Sequence, residues 1–150
     1  MSRTLAGLLL LVATACRAKE PVVMSPPPGG PVAAPDPAGY WSGDWGRLGI
    51  EHDGRAVYDH DDGTIVGAMR GDTLVGGWCE GPSRQSTADA GDVELRFVTA
   101  PDGTRSIDGR WRYGTDEAWR DDWDLGWDPG TPPADLVARF SDPAAFCAHP

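Results

Sequence analysis

The chain has 150 residues, among them 20 Gly and 14 Pro, and its 23 acidic against 13 basic side chains give a formal net charge of −10. That is enough chain for one modest core and too little for two large domains. The excess of acid opposes any partner that presents phosphates, so nucleic acid and anionic lipid surfaces are excluded as binding targets.

The chain starts with Arg3, an apolar run from Leu5 to Val12, and the small residues Ala13, Thr14 and Ala15 directly before Cys16. A charged start, a short apolar stretch and a small-residue cleavage site make a secretory signal, and the run is too short to span a bilayer as a helix. With cysteine after the cut, the segment resembles a bacterial lipoprotein signal. That resemblance implies a signal peptide over residues 1–15 and lipidation of Cys16. Ala13 stands where a branched residue is more common, so an ordinary secreted protein is the alternative. Arg17 stands where an aspartate commonly retains lipoproteins in the inner membrane, which favours the outer membrane. Residues 16–38, dense in Pro and Ala, form the linker: at about 3.1 Å per residue they hold a folded body up to roughly 60 Å from a lipid surface.

Residues 39–150 form the third region and carry 21 acids and 10 bases, all of the bases arginine, for a net charge near −11. A lipid on Cys16, not a basic patch, would have to hold such a body at a membrane. With Cys16 lipidated, Cys79 and Cys147 remain as an even pair in an oxidising compartment. A disulfide between them would close a long loop, worth about 4 kcal/mol in the chain-entropy model. Two unpaired buried thiols are the alternative.

One short pattern recurs in this region: an apolar residue, any residue, glycine, any residue, then a large side chain. It stands as Ile65-Val66-Gly67-Ala68-Met69, Leu74-Val75-Gly76-Gly77-Trp78 and Ile107-Asp108-Gly109-Arg110-Trp111, each after a turn of Gly, Asp and Thr. Strand side chains alternate, so the apolar residue, the glycine and the large residue share one face. Mid-strand glycine weakens a sheet, and its repetition points to a steric role, admitting a bulky ring in a coiled antiparallel sheet. The spacing is too irregular for a solenoid.

Strands are expected near residues 41–52, 56–60, 64–70, 73–80, 93–100, 105–113 and 119–127. Trp41 and Trp45 share one parity and Leu48 and Ile50 the other, which predicts a bulge or bend near Gly46 and brings the total to about eight. Trp119, Trp123, Leu125 and Trp127 fall on one face of the last strand. After the proline break at 129–133, Leu136, Val137 and Phe140 lie at helical spacing. They predict a short C-terminal helix whose continuation carries Cys147 to Cys79 and covers the seam between first and last strands. The fold expected is all-β: a single antiparallel meander β-barrel of about eight strands with a short C-terminal helix, after a signal peptide and Pro-rich tether.

The opening Gly39-Tyr40-Trp41-Ser42-Gly43-Asp44-Trp45, followed by short glycine-turn strands ending in tryptophan, resembles the meander barrels of the avidin and lipocalin type. The resemblance covers most of residues 39–127 and implies a barrel mouth that binds a small ligand. The chain departs from the lipocalin arrangement, because Trp41 is expected at the long-loop end rather than the short-turn end, and no loop pattern for biotin contacts is recognisable. It also resembles bacterial lipoproteins of similar build, which carry no function over.

In a meander, alternate connections fall at the same end of the sheet. Turns at Asp53-Gly54, Gly71-Asp72 and Asp102-Gly103 make one closed end; Asp61-Asp62-Gly63, the loop 81–92 and Thr115-Asp116-Glu117 lie opposite. Function commonly sits on longer loops held by a rigid scaffold. The candidate binding rim is therefore Trp41, His60, Asp61, Asp62, Glu80, Arg84, Asp116, Glu117 and Trp119, with Asp89 beside them; ordinary polar turn chemistry also explains its acids. Trp78, Trp111, Trp123 and Trp127 are candidates to line a cavity, although so short a domain favours a filled interior.

Metal and catalytic signatures are weak. Aligned on Gly63, the run Asp59-His60-Asp61-Asp62-Gly63 puts Tyr58 and Met69 where an EF-hand needs carboxylates. Turn alternation separates His52 from His60, and His149 is the remaining histidine. Neither Ser42 nor Ser83 sits in a nucleophile elbow, and no phosphate loop is present. If Asp121 shares the face of Trp119 and Trp123, it needs a partner such as Arg110 or Arg112. No metal, no cofactor and no enzyme activity are expected. Two functions remain: a non-catalytic interaction or structural module that meets an envelope protein through its loop rim, which is preferred, and a barrel that captures a small ligand.

Overall fold

The computed structural model describes residues 35–115 and 118–147; the expected signal peptide at 1–15, Cys16, most of the expected linker, Asp116 and Glu117 lie outside them. Eight strands follow in order: β1 (Gly39–Gly43), β2 (Gly46–Ile50), β3 (Arg55–Tyr58), β4 (Thr64–Arg70), β5 (Thr73–Cys79), β6 (Ala90–Thr99), β7 (Arg105–Tyr113) and β8 (Arg120–Trp127). Each pairs antiparallel with the next, and β8 returns to β1 through Trp41–Trp127, Ser42–Gly126 and Gly43–Leu125, closing the barrel. The expected fold class is the one found.

The three glycine repeats put Ile65, Leu74, Trp78, Ile107 and Trp111 into the barrel interior, where they join Leu48, Val93, Leu95, Phe97, Trp123 and Leu125. Glycine supplies closeness between strands more than room for rings. A Cβ on Gly76 would stand 2.2 Å from the Val66 carbonyl oxygen, and one on Gly109 2.5 Å from that of Trp123 and 2.9 Å from Leu95 Cδ2. Among the central glycines of the three repeats only Gly109 has an aromatic residue close by, through the Trp123 Cβ at 3.2 Å. Backbones therefore approach where a side chain would hold them apart, and the sheet coils tightly enough to close.

The bend expected near Gly46 is a full hairpin. Gly43 pairs with Gly46 around Asp44-Trp45, and Gly46 takes a φ of +88°, a conformation that glycine adopts without strain. This turn corrects the placement of Trp41. It lies at the short-turn end, buried, in T-shaped contact with Phe97 (5.5 Å) and Trp127 (5.0 Å). The guanidinium of Arg105 covers both indoles, 5.1 Å from the ring of Trp41 and 4.0 Å from that of Trp127. The expectation of Trp41 at the long-loop end is thus overturned.

A second irregularity moves the start of β8. Gly109 pairs with Trp123, but Trp111 pairs with Arg120, so β8 carries an extra residue there. Trp123 and Leu125 point inward as expected, whereas Asp121 falls on the wet outer wall beside Arg110 and Asp108. The question of a buried Asp121 does not arise. Trp119 precedes the strand and turns outward, where Arg110 and Arg112 sit 4.6 and 4.7 Å from its ring.

The C-terminal segment begins with the single-turn helix α1 (Ala134–Ala138), whose Leu136 is buried against Tyr40 and Val57 on the outer wall. Burying such a side chain contributes about 2 kcal/mol. Phe140 stacks on Phe146 at 6.2 Å, and Arg55 covers Phe146 at 5.2 Å. Arg139 donates to the carbonyls of Tyr58 (2.7 Å) and Gly63 (2.9 Å), fastening the segment beside β3 and the turn after it. Cys147 then meets Cys79 at disulfide distance, Cα to Cα 6.3 Å. The segment covers no seam: β1 and β8 are paired, and it lies on the outside of the first three strands.

The strand spacing yields a paired test. Gly76→Ala is expected to lower the free energy of urea unfolding by about 2 kcal/mol through overpacking. Gly126→Ala, whose Cβ meets nothing within 4 Å, is expected to stay within about 0.5 kcal/mol of the parent. Equal effects would mean that close strand approach does not hold the barrel together.

Candidate functional site

The turns at Asp44-Trp45 and residues 59–63, the loop at 80–89 and, from the last connection, Gly114, Thr115, Ala118 and Trp119 gather at one end of the barrel, as the alternation of the strands requires. There the interior stops short of the rim and leaves a pit of about 110 Å³. Trp78, Trp111 and Trp123 form its floor and walls, joined by Trp45, Tyr58, Tyr113, His60 and Glu80. Beneath it the buried side chains of Leu48, Ile65, Leu74, Val93, Leu95 and Ile107 pack together. The pit lies well under the roughly 300 Å³ at the low end of small-ligand sites.

Three of the indole walls are anchored. Trp78 donates its indole N–H to the Arg112 carbonyl (3.1 Å), Trp111 to Asp122 Oδ1 (2.7 Å), and Trp45 to the Asp122 carbonyl (2.8 Å). The rings meet edge to face: Trp45 and Trp111 at 83°, Trp78 and Trp111 at 88°, Trp111 and Tyr113 at 77°. Such contacts add about 0.5–1.5 kcal/mol per pair beyond the area buried. Fixed N–H donors and perpendicular neighbours leave these side chains little rotational freedom, so the pit is formed before anything enters it.

One carboxylate faces the aromatic walls. Tyr58 donates its hydroxyl to Glu80 Oε1 at 2.7 Å. Burial pushes the Glu80 carboxyl above its ordinary value, and the Tyr58 hydrogen bond only partly opposes this. Burial, with the neighbouring Glu80 charge, holds the Tyr58 hydroxyl well above its own range. Tyr58 reaches the pit because residue 63 is glycine: a Cβ there would stand 1.9 Å from the Tyr58 ring. His60 packs edge-on against Trp45 at 5.0 Å, from a single 3-10 turn over His60–Asp62.

The rim residues expected from sequence divide. His60 and Glu80 line the pit, and Asp61 stands beside them, its ligand atom within 4.8 Å of theirs; these three are the described residues that could hold a metal ion. Asp62 is exposed and does not line the pit. Arg84 is an internal clamp. It donates to the carbonyls of Ala145 (2.7 Å) and Asp62 (3.0 Å), tying its own loop to the C-terminal segment and to the preceding turn. Asp89 accepts from the Ser83 backbone (2.9 Å) within the same loop. That loop is shorter than expected, because β6 already begins at Ala90. Trp41 is at the opposite end and Trp119 on the outer wall; Asp116 and Glu117 are outside the described residues.

Of the four candidate cavity residues, Trp78, Trp111 and Trp123 line the pit and Trp127 does not, since it packs on Trp41 at the closed end. Trp45, Tyr58 and Tyr113 were missed. A signal for Trp45 existed in Asp44-Trp45-Gly46, where glycine follows as in the other hairpins. Compared with protein-family models, curated proteins and solved structures, the chain finds no match.

The raised carboxyl gives a pH prediction. At neutral pH an ionised Glu80 costs stability, because the unfolded chain loses that proton more readily; the cost vanishes as pH falls through the raised value toward 4.5. Glu80→Gln keeps an acceptor for Tyr58 and does not titrate. Its Tm is expected about 3 °C above the parent at pH 7, with the gap closing below pH 4.5. A gap that is negative at pH 7 or independent of pH would contradict the assignment of burial as the cause.

Proposed function

We propose that the protein is a non-catalytic module of the cell envelope, tethered to a membrane through a lipid on Cys16 and meeting a partner protein through the pit at its long-loop end. The observation that carries this reading is the pit itself, about 110 Å³ with ring walls held by hydrogen bonds. It fits one protruding side chain and is too small for a whole ligand of ordinary size. Rigid aromatic pockets of this kind accept the central anchor of an interface, where most binding energy concentrates. The tether rests on the signal at residues 1–16 and the proline-rich stretch that follows.

Two measurements test the two halves. The full chain expressed in a bacterial host is expected to partition into the detergent phase, and Cys16→Ser into the aqueous phase; detergent partition of both would remove the lipid anchor. Immobilised full chain is expected to retain an envelope protein that the Trp45→Ala variant releases, with the partner then identified by mass. Equal retention by both would move the contact away from the pit.

A further inference from the structure

We propose that the pit is a cage for an alkylammonium group, the end of a lysine side chain on the partner protein, with Glu80 as its counter-ion. This rests on the reading of the pit as the binding face and names what enters it. Three features point to a compact cation. First, the walls stand nearly perpendicular, Trp45 and Trp78 each at more than 80° to Trp111. Walls at right angles enclose a compact, rounded group and offer it several ring faces at once. Second, Tyr58 occupies Glu80 Oε1, so the carboxylate does not present the two free oxygens that an arginine fork takes. A single ammonium needs only one.

Third, the surroundings attract positive charge. The region 39–150 carries a net charge near −11, and Asp61 lies beside Glu80 at the rim. The chain's own Arg120 already rests on this aromatic wall, 4.6 Å from the ring of Trp111 and 4.7 Å from that of Tyr113. Those rings therefore accept a cation from the outer side. Arg120 also competes: its charge at the mouth repels an incoming ammonium, and its removal opens the wall. A half-buried carboxylate beside apolar rings is held at a cost in solvation, and an ammonium seated against it offsets that cost. A divalent metal would use His60, Asp61 and Glu80 but would gain nothing from six aromatic walls.

The test uses the purified full chain and follows the indole N–H resonances of Trp45, Trp78 and Trp111 by NMR. With n-butylammonium chloride, which copies the end of lysine, saturable shifts are expected with a Kd of about 1–10 mM. Glu80→Gln is expected to weaken binding about fivefold and Arg120→Ala to tighten it about threefold, the Trp41 indole resonance in each variant verifying the fold. n-Butanol, alike in shape but neutral, is expected to give no saturable shift. Equal binding of n-butanol would make the pit an apolar slot, overturning the ammonium while leaving the pit as the contact. Tighter binding of n-butylguanidinium, shifts with zinc or calcium chloride alone, or no response to any probe would each overturn the proposal. The rim reading fails separately, by retention of the partner on the Trp45→Ala variant.

Discussion

An eight-stranded closed barrel is wide enough inside for side chains and for little else, and this width governs the rest of the molecule. The strands must approach closely to close the circle, so glycine recurs where a Cβ would strike a neighbouring carbonyl, as at Gly76 and Gly109. The space enclosed must then be filled by large rings. Trp41, Phe97 and Trp127 plug the short-turn end, Leu74, Leu95 and Ile107 occupy the interior, and Trp78, Trp111 and Trp123 stack toward the mouth. The pit is what remains when filling from below ends at rings too large to pack further and too well anchored to collapse.

Arginine supplies the second layer of organisation. In a body so rich in acid, each described arginine of known contacts is set against carboxylates, carbonyls or rings. Arg47 binds Asp59 and Asp135, and Arg55 binds Glu51 and Asp53 while covering Phe146. The hydrogen bonds from Arg47 hold the Asp59 carboxyl below the usual range, so the Arg47–Asp59 pair strengthens the fold above about pH 4 and weakens as Asp59 protonates. Arg84 and Arg139 act differently, donating to backbone carbonyls of the C-terminal segment and of the turn between Tyr58 and Gly63. With the Cys79–Cys147 bridge, these contacts hold the end that carries the pit.

Electrostatics at the mouth follow from both layers. Glu80 is half-buried because Tyr58, admitted by Gly63, draws it to the edge of the aromatic walls. Arg120 reaches the same walls because one extra residue in β8 sets it opposite Trp111. A negative group inside and a positive group outside a single set of rings thus depend on one glycine and one bulge.

The sequence by itself determined the barrel, its strand number of about eight and the end at which most connections fall, and it offered Cys79 and Cys147 as a pair without deciding that they meet. Alternation and turn chemistry are local, and a meander leaves little choice of neighbours once they are set. It also named Trp78, Trp111, Trp123, His60 and Glu80, which the structure gathers around one pit, since parity and turn count place them. Only the tertiary structure decided the phase at two points: the hairpin at Asp44-Trp45, which sent Trp41 to the closed end and Trp45 to the mouth, and the extra residue in β8, which turned Asp121 and Trp119 outward. A one-residue shift inverts every later side chain, and its energy lies in pairing across strands distant in sequence. The same holds for Arg84, whose partners Ala145 and Asp62 come together only when the C-terminal segment docks.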